Sequence, residues 1–124
     1  MNFTFKKKER ITGEKRIETL FSEGNSFVAY PLRVLFLKTA PIAGLPPVSV
    51  LVSVPKKRIK SAVGRNKLKR RIRETYRLNK HLIELVDCRL DVVFVYIKEE
   101  LSDYATIEKG MRKAIRELNE RNIG

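Results

Sequence analysis

The chain is poor in the residues that build disulfide frameworks and zinc sites. Its 124 residues include one cysteine, Cys88, and one histidine, His81. A single cysteine excludes an internal disulfide framework and a cysteine-rich zinc site. The longest apolar runs, near 48–54 and 92–97, are far too short to span a bilayer. No charged-then-apolar leader opens the chain. We therefore expect a protein of the reducing cytoplasm with no membrane partner.

Acidic residues are few beside the basic ones. The chain has 14 Asp and Glu against 27 Lys and Arg, a net charge of +13. Residues 55–80 hold 12 of the 27 basic residues and one acid, Glu74, so this segment carries +11 and the other 98 residues carry +2. A charge so concentrated predicts a nucleic acid or another anionic partner.

The residues of a protein-based active site are also scarce. His81 falls within a predicted helix, and Glu99, Glu100 and Asp103 follow a predicted strand in a pattern typical of a solvated turn. Gly64 lacks the partners of a phosphate-cradling glycine loop. We expect no small-molecule substrate, and any phosphodiester hydrolysis would need metal ions held elsewhere.

Hydrophobic periodicity predicts one α+β domain over residues 1–124. Helices are predicted over 14–23, 62–83 and 104–121, and extended segments over 26–38, 48–54 and 91–97. Gly24 is expected as a left-handed helix cap, Pro31 as an interruption that splits its segment, and Ser61 as an N-cap. The economical arrangement is a two-layer sandwich, with two helices on one face of a mixed sheet.

The helix over 62–83 has two different faces. At about 100° per residue, one stripe is predicted to face the core, and it comprises Leu68, Ile72, Thr75, Tyr76, Asn79, Leu82 and Ile83. The other stripe, here called the basic face, comprises Asn66, Lys69, Arg70, Arg73, Arg77 and Lys80. Like charges three and four residues apart repel. An ordinary solvated face usually mixes signs, so this stripe favours phosphate binding. Asn66 could bridge a phosphate and a base edge, or cap a turn beside Gly64.

The run KKRIKSAVGRNKLKRRIRETYR, residues 56–77, resembles the signature of the bacterial ribonuclease P protein subunit. The segment ending in LFSEG resembles the first helix of that family. VSVLVSVPKK resembles its strand before the basic loop, and DVVFVYIKE its last strand. Most of the chain aligns with the family in order.

This resemblance implies an α-β-β-β-α-β-α order with a left-handed crossover between parallel strands, where general handedness rules would give a right-handed one. It implies a monomeric protein that binds ribonuclease P RNA one to one. It also implies that the single-stranded 5′ leader of precursor tRNA binds between the first helix and the sheet, and that Mg²⁺ held mainly by the RNA supplies the chemistry. The RNA-binding residues are then Lys56, Lys57, Arg65, Asn66, Lys67, Lys69, Arg70, Arg73 and Arg77. The cleft residues are Ile17, Phe21 and Phe36, with Ile17 standing where the family often has Phe.

On the residues alone, two other functions remain open, and so does the role of two aromatic side chains. A structural RNA-binding protein of ribosomal type would share the basic helix without recognising a leader. A DNA-binding module would lay the helix in a major groove, where base readout uses a few Arg, Asn or Gln side chains. Phe21 and Phe36 could stack on bases, at about 1–3 kcal/mol each, or pack in an ordinary core.

Overall fold

A computed structural model describes residues 14–85 and 87–123, without the side chains of 14–16 and 122–123. Its elements are α1 (Glu14–Glu23), β1 (Asn25–Ala29), β2 (Leu32–Thr39), β3 (Val48–Ser53), α2 (Ala62–Asn79), a short 3₁₀ turn (Lys80–Leu82), β4 (Arg89–Tyr96) and α3 (Tyr104–Ile123). This order confirms the predicted succession of helices and strands. Pro31 lies in the turn that separates β1 from β2, as predicted.

The four strands form one mixed sheet in the order β1-β2-β4-β3. β2 is antiparallel to both of its neighbours, and β3 is parallel to β4. β4 is interior to the sheet, which explains its nearly continuous burial and its run of β-branched and aromatic residues. α2 joins the parallel pair β3 and β4, so the predicted crossover is present. Its hand stays a prediction.

The main core lies between one face of the sheet and the helices α2 and α3. Alternate residues of every strand point into it, as the period of two requires. The helices contribute buried apolar stripes, which comprise Leu68, Ile72 and Tyr76 from α2 and Ile107, Met111, Ala114, Ile115 and Leu118 from α3. The N-cap prediction is confirmed, since the Ser61 hydroxyl accepts a hydrogen bond from the Gly64 amide at 3.2 Å.

The α2 stripe ends earlier than its periodicity predicts. The α-helix stops at Asn79, and residues 80–82 form a tighter 3₁₀ turn. That turn has about 3.0 residues per turn in place of 3.6, so Leu82 leaves the stripe and lies exposed. Ile83 stays half-buried against the core. The prediction for Leu82 is therefore wrong.

α1 lies on the opposite face of the sheet and adds a partial third layer to the predicted two. A second apolar cluster forms there around buried Leu20 and Val93, with Ile17, Leu35, Leu37, Leu51 and Val95 half-buried against it. Gly24 ends α1 without the left-handed backbone that the sequence predicted. It is needed for close approach, because a Cβ there would lie 2.9 Å from the Phe36 carbonyl oxygen and closer still to that of Leu20.

Candidate nucleic-acid interface

The basic face of α2 points away from the core along the whole helix. All six of its members are exposed or half-buried, while Leu68, Ile72, Thr75 and Tyr76 are buried on the opposite side. Because the buried apolar stripe fixes the rotation of the helix about its axis, the cationic side chains on the other side face away from the core. The predicted division of α2 into a core-facing side and a cationic side is confirmed.

Only part of the cationic surface is neutralised within the protein. Arg77 holds Glu74 in a bidentate pair, with Nε 3.1 Å from Oε2 and Nη2 2.5 Å from Oε1. The hydrogen bond from Arg77 lowers the pKa of Glu74, and the same bond raises the pKa of Arg77. Arg77 thus already has an anionic partner, and Glu74 is the one acid that the segment offers.

Four neighbouring side chains have no such partner. Within the described residues, Asn66, Lys67, Lys69 and Arg70 make no hydrogen bond or ion pair. Three of them are cations within about one turn of α2, and the repulsion between Lys67 and Arg70, three residues apart, is relieved when anionic groups bind there. Phosphates fit this arrangement, since Arg binds them bidentately and Lys binds them as a point charge.

The loop before α2 is held in place by Arg65. Its Nη1 donates to the carbonyl oxygens of Ile59 at 3.1 Å and Lys60 at 2.8 Å. Ile59 is itself buried in the main core. Arg65 therefore positions the loop, and Lys56 and Lys57 lie exposed on it beside the helix. Lys57 lines the same groove as Lys67 of α2, so the predicted Lys-Lys pair lies close to the start of the helix.

The three residues predicted for a cleft beside α1 do not all lie on the α1 side of the sheet. Ile17 is half-buried in the α1 cluster, and the Phe21 side chain is 53% exposed. Phe36 is 5% exposed and packs in the main core on the other face, with its ring centroid 5.9 Å from that of Phe27. The structure does not bring Phe36 into the cleft, because successive residues of β2 point to opposite faces.

Two residues of β2 on the α1 side of the sheet were not among the predicted cleft residues. Leu35 lies half-buried in the α1 cluster. Arg33 is exposed two positions earlier on the same face of the strand. The alternation of β2 predicts the position of Arg33 and Leu35, because placing Val34 and Phe36 on the core face puts the residues between them on the opposite face.

Two of the three acidic residues that follow β4 have partners within the chain. A Glu99 carboxylate oxygen lies 3.6 Å from Arg58. Asp103 caps α3, accepting from the Thr106 amide at 2.8 Å, and this hydrogen bonding lowers its pKa. Over residues 14–85 and 87–123 no group of three or more His, Cys, Asp and Glu side chains could hold a metal ion. None of the helices in those ranges is long and apolar enough to cross a membrane.

Comparison with known proteins decides the family. The family model described as Ribonuclease P matches residues 5–119. The chain belongs to the ribonuclease P protein family. A ribonuclease P protein component of Porphyromonas gingivalis is 42% identical over 118 residues, which cover 91% of this chain and 85% of that protein. The component of Petrotoga mobilis is 31% identical, covering 93% and 95% of the two chains.

Solved structures agree with this membership. The RNase P protein from Thermotoga maritima matches with a TM-score of 0.71 and 27% identity, over 87% of this chain and 96% of that chain. The Staphylococcus aureus RNase P protein, at 20% identity, shows the same fold with a TM-score of 0.70, over 92% and 97% of the two chains. The sequence resemblance is confirmed, and the ribosomal-type alternative gains no support. Membership in the ribonuclease P protein family implies an RNA partner in a ribonucleoprotein that processes tRNA.

Proposed function

We propose that this chain assists removal of the 5′ leader from precursor tRNA by binding two RNAs on two surfaces. The basic face of α2, with the loop over 55–61, binds the catalytic RNA of ribonuclease P. The cleft between α1 and the sheet binds the single-stranded leader. The observation that supports this most strongly is the group of cations on α2 with no partner in the described chain.

The α2 surface suits a folded RNA better than base-by-base reading. Structured RNA is recognised mostly through its shape and its phosphates, and the surface offers mainly Lys and Arg. Lys69 and Arg70 lie one after the other on the exposed side of the helix. A polyanion there removes the repulsion that the free protein carries.

The α1 side suits a single strand. Single-stranded RNA is held by cations along its backbone and by flat side chains under its bases. Phe21 provides one exposed ring, and Arg33 lies on the same face of the sheet with no partner among the described residues. Because Ile17 is aliphatic, we expect one stacking surface fewer than a second aromatic would provide.

The chemistry is assigned to Mg²⁺ held by the RNA. The donor set of this chain does not suit the ion, since the described carboxylates do not cluster and Glu99 and Asp103 are engaged elsewhere. The protein contributes positive charge, which lowers phosphate repulsion between the two RNAs and so reduces the Mg²⁺ that they require. We propose a monomeric protein, one to one with the RNA, in the cytoplasm where these RNAs occur.

The test is cleavage by the reconstituted complex at low Mg²⁺. Ribonuclease P RNA from the same genome is mixed with precursor tRNA, with and without the protein, and mature 5′ ends are quantified. We expect the protein to stimulate cleavage strongly at low Mg²⁺ and weakly at high Mg²⁺. No stimulation at any Mg²⁺ concentration, or cleavage by the protein without RNA, would overturn the proposal.

A further inference from the structure

An open groove of about 740 Å³ lies beside the first turn of α2, where the loops after β3 and β4 meet. Four cations line it, and one of them, Arg58, lies 3.6 Å from Glu99, the one acid of the lining. The side chains of the other three, Lys57, Lys60 and Lys67, have no partner among the described residues. Its apolar residues include Val63 and Leu101, which are 76% and 51% exposed. Exposed branched aliphatic side chains in the middle of a cationic surface are unexpected if that surface meets phosphates alone.

The Leu101 side of the groove is fixed by its neighbours in the chain. Arg71 donates from Nη1 to the Ser102 carbonyl oxygen at 2.6 Å, and the Ser102 hydroxyl lies 2.8 Å from the buried Tyr96 hydroxyl. The Tyr96 hydroxyl also donates to the Glu100 carbonyl oxygen. The backbone on both sides of Leu101 is thus anchored while its side chain stays half in solvent.

The floor of the groove is a glycine. A Cβ at Gly64 would lie 3.1 Å from Cγ2 of Ile59 and 3.5 Å from Cδ2 of Leu101. Any larger residue would therefore narrow the space between these two side chains. Arg65 holds the Ile59 side through the hydrogen bonds described above. Both sides of the groove are preorganised, which lowers the entropy that binding must overcome.

We propose that this groove binds one unpaired nucleotide of ribonuclease P RNA, with the base against Val63 and Leu101 and the adjoining phosphates on Lys57, Lys60 and Lys67. Bases taken out of a stack are held between apolar side chains as well as aromatic ones. The three free cations supply the charge complementarity for a nucleotide. The groove also adjoins the basic face through Lys67, which lies one turn after Val63. The partner is therefore the RNA assigned to that face and not the leader.

This inference rests on the proposed function, and one binding series separates the two. The probe is full-length ribonuclease P RNA from the same genome, and the dissociation constant is measured across a range of salt concentrations. The test protein carries Val63→Thr and Leu101→Ala. The matched control carries Ile42→Thr, which changes an equally exposed aliphatic residue in the loop between β2 and β3.

We expect the double variant to bind about fivefold more weakly, the lower end of the loss seen when a base contact is removed. Its slope of log K against log salt should equal that of the wild type, because apolar contacts release no counterions. Lys67→Ala should instead reduce the steepness of that slope by about one. Ile42→Thr should bind as the wild type does.

Chemical probing of the RNA gives a second readout. In the wild-type complex we expect one unpaired nucleotide to be protected. In the double-variant complex that nucleotide should become reactive while the rest of the footprint stays. If the double variant melts at a lower temperature than the wild type, the affinity and footprint measurements are made with Val63→Thr alone. That side chain lies largely in solvent, so its substitution should leave the fold intact.

Three results would overturn the inference. The double variant could bind as tightly as the wild type, its loss could come with a changed salt slope, or the two footprints could be identical. In each case the groove has another occupant, such as a peptide or a second copy of the chain. Wild-type protein that fails to bind the RNA at all would overturn the proposed function instead.

Discussion

The two long helices lie side by side on one face of the sheet and carry their charges differently. α3 interleaves both signs and pairs them one turn apart, Arg112 with Glu108 at 3.4 Å and Arg121 with Glu117 at 3.2 Å. α2 has one acid in 18 residues, Glu74. Both helices bury an apolar stripe, so a helix packs on this sheet whether or not its basic residues are paired with acidic ones. Packing therefore does not require the charge of α2, and the difference indicates a use outside the fold.

The largest expected effect is a difference in stability between substitutions on the core-facing side of α2 and on its basic face. Ile72→Ala removes a fully buried side chain from the main core and should destabilise the protein by about 2–4 kcal/mol. Arg70→Ala, on the basic face, should change stability by less than about 0.5 kcal/mol. Urea unfolding of the two variants measures both values. Comparable destabilisation would mean that the helix is rotated differently from the structure.

The next largest expected effect is a difference in RNA affinity between charge substitutions on α2 and on α3. Lys69→Gln with Arg70→Gln removes two cations and should weaken binding to ribonuclease P RNA about 100-fold, at about tenfold for each charged hydrogen-bonding group. Lys113→Gln, on the mixed surface of α3, should change affinity less than about twofold. Filter binding at one salt concentration compares them. Equal losses would show that overall charge, and not its position on α2, drives binding.

Salt dependence sharpens the same comparison. If about six phosphates meet α2 and its loop, log K should fall against log salt with a slope near −4 to −5. The Lys69→Gln, Arg70→Gln variant should show a slope shallower by about two, and Lys113→Gln should match the wild type. A wild-type slope near −1 would contradict the assignment of the basic face.

A smaller effect should appear without any RNA. Because the cations of α2 repel one another, sulfate should raise the melting temperature above that in NaCl of equal ionic strength by about 4 °C, equivalent to about 1 kcal/mol of anion binding. The Lys69→Gln, Arg70→Gln variant should lose most of this increment. An undiminished increment in the variant would indicate general salt exclusion in place of a site.

The smallest effect concerns the one neutralised position of α2. Glu74→Gln frees Arg77 from its carboxylate and should raise RNA affinity about twofold, within the range of an exposed ion pair. Since the pKa of Glu74 is lowered, the pair stabilises the fold at neutral pH, and that contribution is lost as pH falls through the lowered pKa. Acid titration of stability should therefore differ between wild type and variant. Weaker RNA binding by Glu74→Gln would contradict a competition between Glu74 and phosphate for Arg77.

Much of the candidate site could be predicted from local sequence. The wrong predictions concern residues whose surroundings depend on how separate parts of the chain pack together. The two sides of α2 and the Ser61 cap follow from spacing and side-chain chemistry within one element. Phe36 was misplaced because either face of a strand can look apolar when both faces of the sheet are covered. Arg65 looked like a free cation, but its partners are backbone carbonyls that only the folded loop brings near.

The order of elements, the segment that carries the charge and the side of α2 that bears it are all predictable from the amino-acid pattern, because each depends on residues close together in the chain. Which sheet face α1 covers, which cations find partners and how Leu101 comes to lie beside Val63 follow from the packing of the elements against one another. Those outcomes depend on contacts between residues far apart in the chain, and periodicity within a single element carries no information about them.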